Sequence, residues 1–409
     1  MADYYVDVDS PGAWDGCDGT NNTTELLKGL SGLQYALDTV TAGNRVLIKC
    51  ASSDGRTLKS LACDNLSGTF VRGEEVTWDA GASTGVVSEI TSDYPSVIEV
   101  TAGTLADDDA LVGSTSAATA DVNGAPTVKS MVMDIDTNSG TTANGPITYC
   151  GCNSSWSVDG TQAVIDGQNN AAGAQTGLGG SATTKEYLYF MYLTFTRFTY
   201  GAYDHDQAGT TRYFKFFFCF FIDNYSFGIK SDWNTYTYSL FYKCKFINSG
   251  QNVLSNSMLL FCVCTGNNGW NALISGGLCY GCIIHGNTGP SGGVALKSDA
   301  VINCVVDGNS SSGIEVSSTE LSVCLGCRIT NNGAYGMKKG TNGVAFDDYN
   351  FFKSNVSGAR DIASTKLSIE GDNCLTDGTE GYNDRANDDF NLTSDASLRR
   401  TEIDLGIGT

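Results

Sequence analysis

The chain has 409 residues, 49 of them glycine and 15 cysteine, with 41% hydrophobic and 17% charged side chains. A disordered chain would carry more charge and fewer aromatics, and a single globular core is stretched at this length, so either two domains or an elongated fold that grows by repetition is expected. The formal balance of 24 basic against 45 acidic residues gives −21, a field that repels phosphate backbones and anionic lipid heads and argues against a nucleic-acid partner.

The opening MADYYVDVDS lacks the basic and apolar regions of an export signal, and the longest apolar stretch, Phe214 to Ile222, is interrupted by Lys215 and too short to span a bilayer. Synthesis and folding in a cytoplasm are expected, without membrane insertion. In that reducing compartment the cysteines read as small buried hydrophobes rather than disulfides. Tyr4-Tyr5-Val6-Asp7, Leu33-Gln34-Tyr35-Ala36-Leu37 and Arg45-Val46-Leu47-Ile48, together with the closing Asp389-Phe390-Asn391-Leu392 and Ile403-Asp404-Leu405-Gly406, resemble the two ends of pectate-lyase-like right-handed parallel β-helix proteins. The resemblance implies a capping helix at Leu33 to Leu37 and a first solenoid strand at Arg45 to Lys49. The closing segment departs from the family in lacking a proline after Ser397.

From Leu66 to Ala125 the composition shifts to polar, Thr/Ser/Val-rich and strand-like sequence. Phe70, Gly73, Glu74 and Val76 lie in a Gly-x-Phe-x-x-Gly-Glu-x-Val pattern, followed by Ala82-Ser83-Thr84-Gly85-Val86. This is similar to small β-barrel modules of tailed-bacteriophage structural proteins, which implies a lateral insertion for adhesion, dispensable for the solenoid. Next, Asp134-Ile135-Asp136-Thr137-Asn138 has the spacing of a calcium loop, but its glycine comes one place late and Gly145 stands where the terminal glutamate belongs. No metal or other cofactor is expected. Tyr187 to Phe198 and Phe214 to Phe221 read as coils with bulky residues, whose outward aromatics suit core, subunit contact or sugar binding.

The second half repeats. Cys-x-apolar-x-x-Asn begins at Cys219, Cys262, Cys282, Cys304 and Cys327, with weaker copies at Cys244 and Asn350, and successive starts lie 18 to 25 residues apart. A period near 22 with alternating short strands means a solenoid. Stacking at about 4.8 Å makes the cysteines an inward column and Asn224, Asn267, Asn287, Asn309, Asn332 and Asn355 a turn ladder, with the asparagine backbone taking the left-handed conformation. The C-x-C and C-x-x-C spacings look like zinc ligands, but the repeat accounts for most of these thiols without metal.

For catalysis the densest ionisable cluster is Asp204-His205-Asp206, in which the two carboxyls could share a face of one strand and raise one pKa. Asp223, Asp232, Asp299, Asp307 and Glu315 are the other carboxyl candidates for a hydrolase pair. Lys297, Glu315 and Lys338 fall on consecutive coils and read as surface ion pairs. The expectation is therefore an all-β chain: cap and first coils over 1–65, an inserted small β module over 66–125, parallel β-helix coils over 126–362 and a closing segment over 363–409. Its expected role is a bacteriophage virion protein that decorates the capsid, with the alternative of a tail spike or fibre that binds or cleaves host polysaccharide. Expected partners are the major capsid or tail proteins, further copies of the chain with a trimer among the open symmetries, and a host surface glycan.

Overall fold

The computed structural model describes residues 1–10, 12–51, 53, 57–135, 138–167, 175–180, 185–204, 211–231, 236–237, 239–253, 257–269, 277–289, 294–316, 321–339, 344–361, 368–370, 374–376, 382–384 and 389–392. The chain forms two compact units, Met1–Gly209 and Thr210–Thr409.

In the second unit strands of three to five residues succeed one another around each coil and pair in parallel with the same strand of the next. Lys215–Phe217, Leu240–Tyr242, Met258–Leu260, Leu278–Tyr280, Ala300–Ile302, Leu321–Leu325, Val344–Asp348 and Ser368–Glu370 build a first sheet. Phe220–Ile222 to Phe351–Lys353 build a second. A third side carries Val294–Ser298, Ser312–Val316, Tyr335–Lys339 and Gly358–Asp361. This is the solenoid that the period near 22 implies.

Among the described residues two corners recur from coil to coil, each turning on one residue in the left-handed region. Phe218 (φ 54), Lys243 (φ 51), Phe261 (φ 56), Asn303 (φ 55) and Tyr349 (φ 55) hold the corner after the first sheet; Asp223 (φ 54), Asn248 (φ 49), Asn331 (φ 53) and Ser354 (φ 53) hold the corner after the second, with glycines in the remaining coils. Bulky residues resist this conformation. Here the next coil holds them: Phe218 N–H donates to Tyr242 O at 2.9 Å, Phe261 N–H to Tyr280 O at 2.9 Å and Asp223 N–H to Ile247 O at 3.0 Å. The left-handed residue therefore precedes the ladder asparagine, which corrects the expectation that the asparagine itself turns the chain. The side-chain amide is what the ladder position needs.

The first unit is built likewise on Asp3–Asp7, Arg45–Lys49, Ile147–Gly151 and Leu188–Met191. The helix Gly29–Thr39 covers this unit's core, with Leu30, Leu33, Ala36 and Leu37 buried. Between its coils stands an eight-stranded antiparallel sheet running from Thr57–Ser60 to Thr127–Val128. The module thus extends beyond the expected 66–125, because Thr57–Ser60 alternates like a solenoid strand but pairs with Tyr94–Ala102. Phe70, Val76, Trp78, Val87, Ile98 and Leu111 give it a core of its own. Parallel pairing also continues beyond 362: Ser368–Glu370 joins Ala345–Asp347, and Leu375 bridges to Phe351.

The module is not a free decoration. The helix has no side-chain cap of its own, and the Glu99 carboxylate, from the middle of the module, accepts Leu30 N–H at 3.1 Å and Ser31 N–H at 2.8 Å. These are two of the orphan donors of a helix N-terminus, and the negative charge also suits the dipole. Gly29 is required there, since a Cβ would stand 2.3 Å from Glu99 Oε2 at a φ of +68. Arg72 pairs with Asp38 at 2.6 Å, and Gly73 O accepts Trp14 N–H at 2.8 Å. Glu99→Ala is expected to lower stability by about 2–3 kcal/mol, with Glu99→Gln intermediate, because buried donors lose a charged acceptor. Hydrogen exchange at the Leu30 and Ser31 amides should accelerate first. Excision of 57–128 is expected to cost at least as much, rather than leave the cap intact.

Candidate functional site

The cysteine column exists. Cys219, Cys244, Cys262, Cys282, Cys304 and Cys327 are each 0% exposed, and their thiols donate inside the coil and to the coil before, as Cys304 Sγ does to Ile302 O at 3.3 Å and Cys279 O at 3.6 Å. Asn350 takes the next place, its amide donating to Cys324 O at 2.9 Å. Cys374 follows it, 24 residues on. No asparagine follows Cys374 at the ladder spacing, so the Cys-x-apolar-x-x-Asn pattern does not include it.

The ladder is continuous from Asn267 to Asn355. Asn309 Oδ1 accepts Asn287 N–H at 3.1 Å and Asn287 Nδ2 at 3.0 Å, while its own Nδ2 donates to Ile284 O at 3.1 Å and Asn332 Oδ1 at 3.0 Å. Between Asn224 and Asn267, Ser249 fills the place with its hydroxyl, accepting Asn224 N–H at 3.4 Å. From Asn267 to Asn355 every side-chain amide is consumed by neighbours, so this stretch of the row is structural.

Of the catalytic candidates, Asp204 ends the strand Tyr200–Asp204, and His205, Asp206 and Asp232 lie outside the described residues. Asp307 is buried and held by Thr330 Oγ1 at 2.5 Å and Asn331 Nδ2 at 2.9 Å, with His285 Nδ1 3.2 Å from its other oxygen. Glu315 pairs with Lys297 at 3.1 Å, and Lys338 and Asp361 follow in register. In the calcium-like loop, Asp134 meets Gln34 through its backbone, N–H to Oε1 at 3.1 Å, and Asn138 donates to the helix carbonyls of Leu37 and Asp38. Among the described residues no group of three or more His, Cys, Asp or Glu is placed to hold a metal ion.

The module residues also point inward. Phe70 and Val76 are in its core, Gly73 lies against the Trp14 ring, and buried Glu74 gathers Val71, Thr115 and Ser116 N–H within 3.1 Å. The Gly-x-Phe-x-x-Gly-Glu-x-Val pattern therefore encodes a turn and its core contacts.

The feature that sequence reasoning missed is the outer face of the first sheet in the second unit. The middle residue of each strand, Phe216, Phe241, Leu259, Cys279, Val301 and Cys324, is 0% exposed. The flanking, outward positions are apolar too: Leu240, Met258, Leu278, Ala300, Val323 and Phe346 in one row, and Phe217, Tyr242, Leu260, Tyr280, Ile302 and Leu325 in the other. All twelve are partly exposed, Met258 most at 43%. Beside the second row, Phe218 and Phe261 at the corner interleave with Tyr242 and Tyr280 in edge-to-face contacts of 5.5–6.0 Å, and Lys243 lies 5.8 Å over the Tyr242 ring. Its trace in the sequence is strands apolar at all three positions, such as Met-Leu-Leu and Ala-Val-Ile, where period-2 alternation calls for a polar face, but that trace does not tell which side chains point outward.

No family model matches the chain, and no curated protein matches it. Among solved structures, the crystal structure of pectate lyase Pel9A is similar with a TM-score of 0.51 and 12% identity, over 97% of this chain and 90% of that one. The complex of XylC with xylose (TM-score 0.27, 7% identity, 90% of this chain and 86% of that one) and a GH87 alpha-1,3-glucanase catalytic domain with tetrasaccharides (TM-score 0.21, 8% identity, 77% and 87%) are more distant. The chain is a right-handed parallel β-helix with an inserted small β module, and at these identities the likeness speaks for the fold.

Two outcomes follow for the columns. Burial pushes the thiol of Cys152 up to about 12 and those of Cys63 and Cys150 to about 11, and the thiolate is the reactive form. Native protein at neutral pH should label only at the half-buried Cys17, Cys63 and Cys374, and slowly, with all fifteen thiols free on unfolding; rapid labelling of more, or a disulfide in non-reducing mass analysis, contradicts the column. Asn309→Ala strands four partners and is expected to cost about 3 kcal/mol in chemical unfolding.

Proposed function

We propose that the chain is a structural protein of a bacteriophage virion that works by binding, with capsid decoration as its leading role, and that the apolar outer face of the first sheet is its contact surface. One observation supports this reading: two adjacent rows of partly exposed apolar side chains run along consecutive coils, where a solvated sheet would alternate. Apolar patches of this extent on a soluble protein mark contacts with other macromolecules. The phage-like pattern in the module is the second support for a virion setting.

A tail spike or fibre that engages host polysaccharide is the other reading. The edge-to-face run Phe218, Tyr242, Phe261 and Tyr280 favours it, since aromatic rings pack against sugar rings while keeping a polar tip in water. The two readings separate experimentally. Recombinant chain is expected to bind purified particles of its phage saturably, and Leu260→Asp or Leu278→Asp to weaken that binding by about tenfold or more without changing the melting temperature. Envelope polysaccharide should yield neither reducing ends nor unsaturated-uronate absorbance. Product that disappears in Asp204→Asn or Asp206→Asn would establish the tail-spike reading.

A further inference from the structure

The C-x-C pair Cys150 and Cys152 belongs to none of the repeats. In the first unit Arg45–Lys49, Ile147–Gly151 and Leu188–Met191 pair in parallel, and Leu47, Cys150 and Met191 stand in register. Tyr149 points inward and stacks on Phe190 at 5.3 Å, so Cys150 points outward and Cys152, two places on, shares its side. Cys152 N–H still donates to Ile48 O at 3.0 Å, which keeps it in the hydrogen-bonded sheet. Met191 packs against both thiols, so three soft sulfur atoms share one patch outside the inward column.

Although they face outward, Cys150 is 1% and Cys152 2% exposed. Trp156 and Tyr5 close over them, in edge-to-face contact at 5.3 Å. The turn that carries Trp156 is tied by Asn153, whose Oδ1 accepts Ser155 N–H at 2.8 Å and Ser157 N–H at 3.0 Å and whose Nδ2 donates to Asp159 Oδ2 at 2.7 Å.

Thiolate and thioether donors suit copper(I), zinc and iron–sulfur clusters. Zinc and the clusters call for four Cys, His or carboxylate ligands, and the carboxylates at hand are engaged, Asp3 by Arg45 at 2.8 Å and Asp7 by Lys49. Copper(I) accepts the smaller set of two thiolates and a thioether. On binding, both S–H bonds break, two Cu–S bonds form and the two protons leave to water, with copper in the same oxidation state throughout. The resulting site is an anion. Lys49 and Arg45 each favour the thiolate of Cys152, and the Lys49 ammonium stands 5.4 Å over the Trp156 ring. The apolar cover limits the access of water and of the oxidants it carries.

We propose that Cys150, Cys152 and Met191 bind one copper(I) ion on the outer side of this sheet, beneath Trp156. The site goes beyond the virion reading and stands without it. The ion ties the end of Ile147–Gly151 to Leu188–Met191 and so fastens two successive coils.

Anaerobic titration of the reduced full chain with copper(I), in competition with bicinchoninate, tests it. One equivalent is expected to resist the chelator and to raise the melting temperature, whereas zinc does neither. Cys150→Ser and Cys152→Ser should each lose that equivalent, while a variant with Cys17, Cys63 and Cys374 all changed to serine keeps it. Met191→Leu conserves volume and therefore the packing. It should weaken retention by about tenfold or more, the loss that even a group orienting a ligand causes. X-ray absorption should show three sulfur neighbours of copper in the unaltered chain and two in Met191→Leu. No tightly held equivalent, zinc held as tightly, retention by Cys152→Ser, or a Met191→Leu variant indistinguishable from the unaltered chain overturns the proposal.

Discussion

A coil of this solenoid cannot satisfy its own corners. Most left-handed corner residues give their backbone N–H to a carbonyl of the following coil, as Asn303 does to Leu325 O at 2.9 Å and Asn331 to Lys353 O at 2.9 Å. The strained conformation at Phe218 and Phe261 persists because the next coil supplies an acceptor at that place, whereas Tyr349 N–H is held by Asp348 Oδ1 at 2.8 Å. The ladder asparagines and the inward thiols follow from the same dependence: each fills a position whose polar atoms are satisfied one coil away.

Stacking that relies on neighbours needs special treatment where it stops. At the N-terminal end the helix Gly29–Thr39 covers the core, and its first turn is satisfied by Glu99, 69 residues along the chain. In the second unit the inward rows Cys279, Val301, Cys324 and Leu296, Ile314, Met337 are continued by Asp347 and Arg360, whose Nε donates to Asp347 Oδ2 at 2.7 Å. A buried charge of either sign alone would be costly, and the pair faces across the interior. Apolar columns thus give way to a polar closure in the late coils.

A scaffold of this kind leaves function to its outer faces. The third side carries alternating charges that pair along the stack, Lys297 with Glu315. The first side carries two apolar rows and an aromatic corner. That contrast within one unit, rather than the pectate lyase likeness, is the basis for reading the chain as a binding protein.

The solenoid was legible in the sequence because its inward column recurs locally: a cysteine, an apolar residue two places on and an asparagine three further need no tertiary information. The capping helix was readable only through the family resemblance of Leu33 to Leu37, and the module through the composition shift at Leu66 and its Gly-x-Phe-x-x-Gly-Glu-x-Val pattern. Three things were not. The Glu99 contact joins residues 69 apart and leaves no periodic trace, so the module looked detachable. The left-handed residue was assigned to the asparagine because both stand at the turn, and only the backbone path separates them. The outer face was hidden because an apolar side chain looks the same whether it points in or out. Local repetition determines how the coil is built; which surface is left apolar, and what caps the end, depend on contacts between segments that only the folded chain brings together.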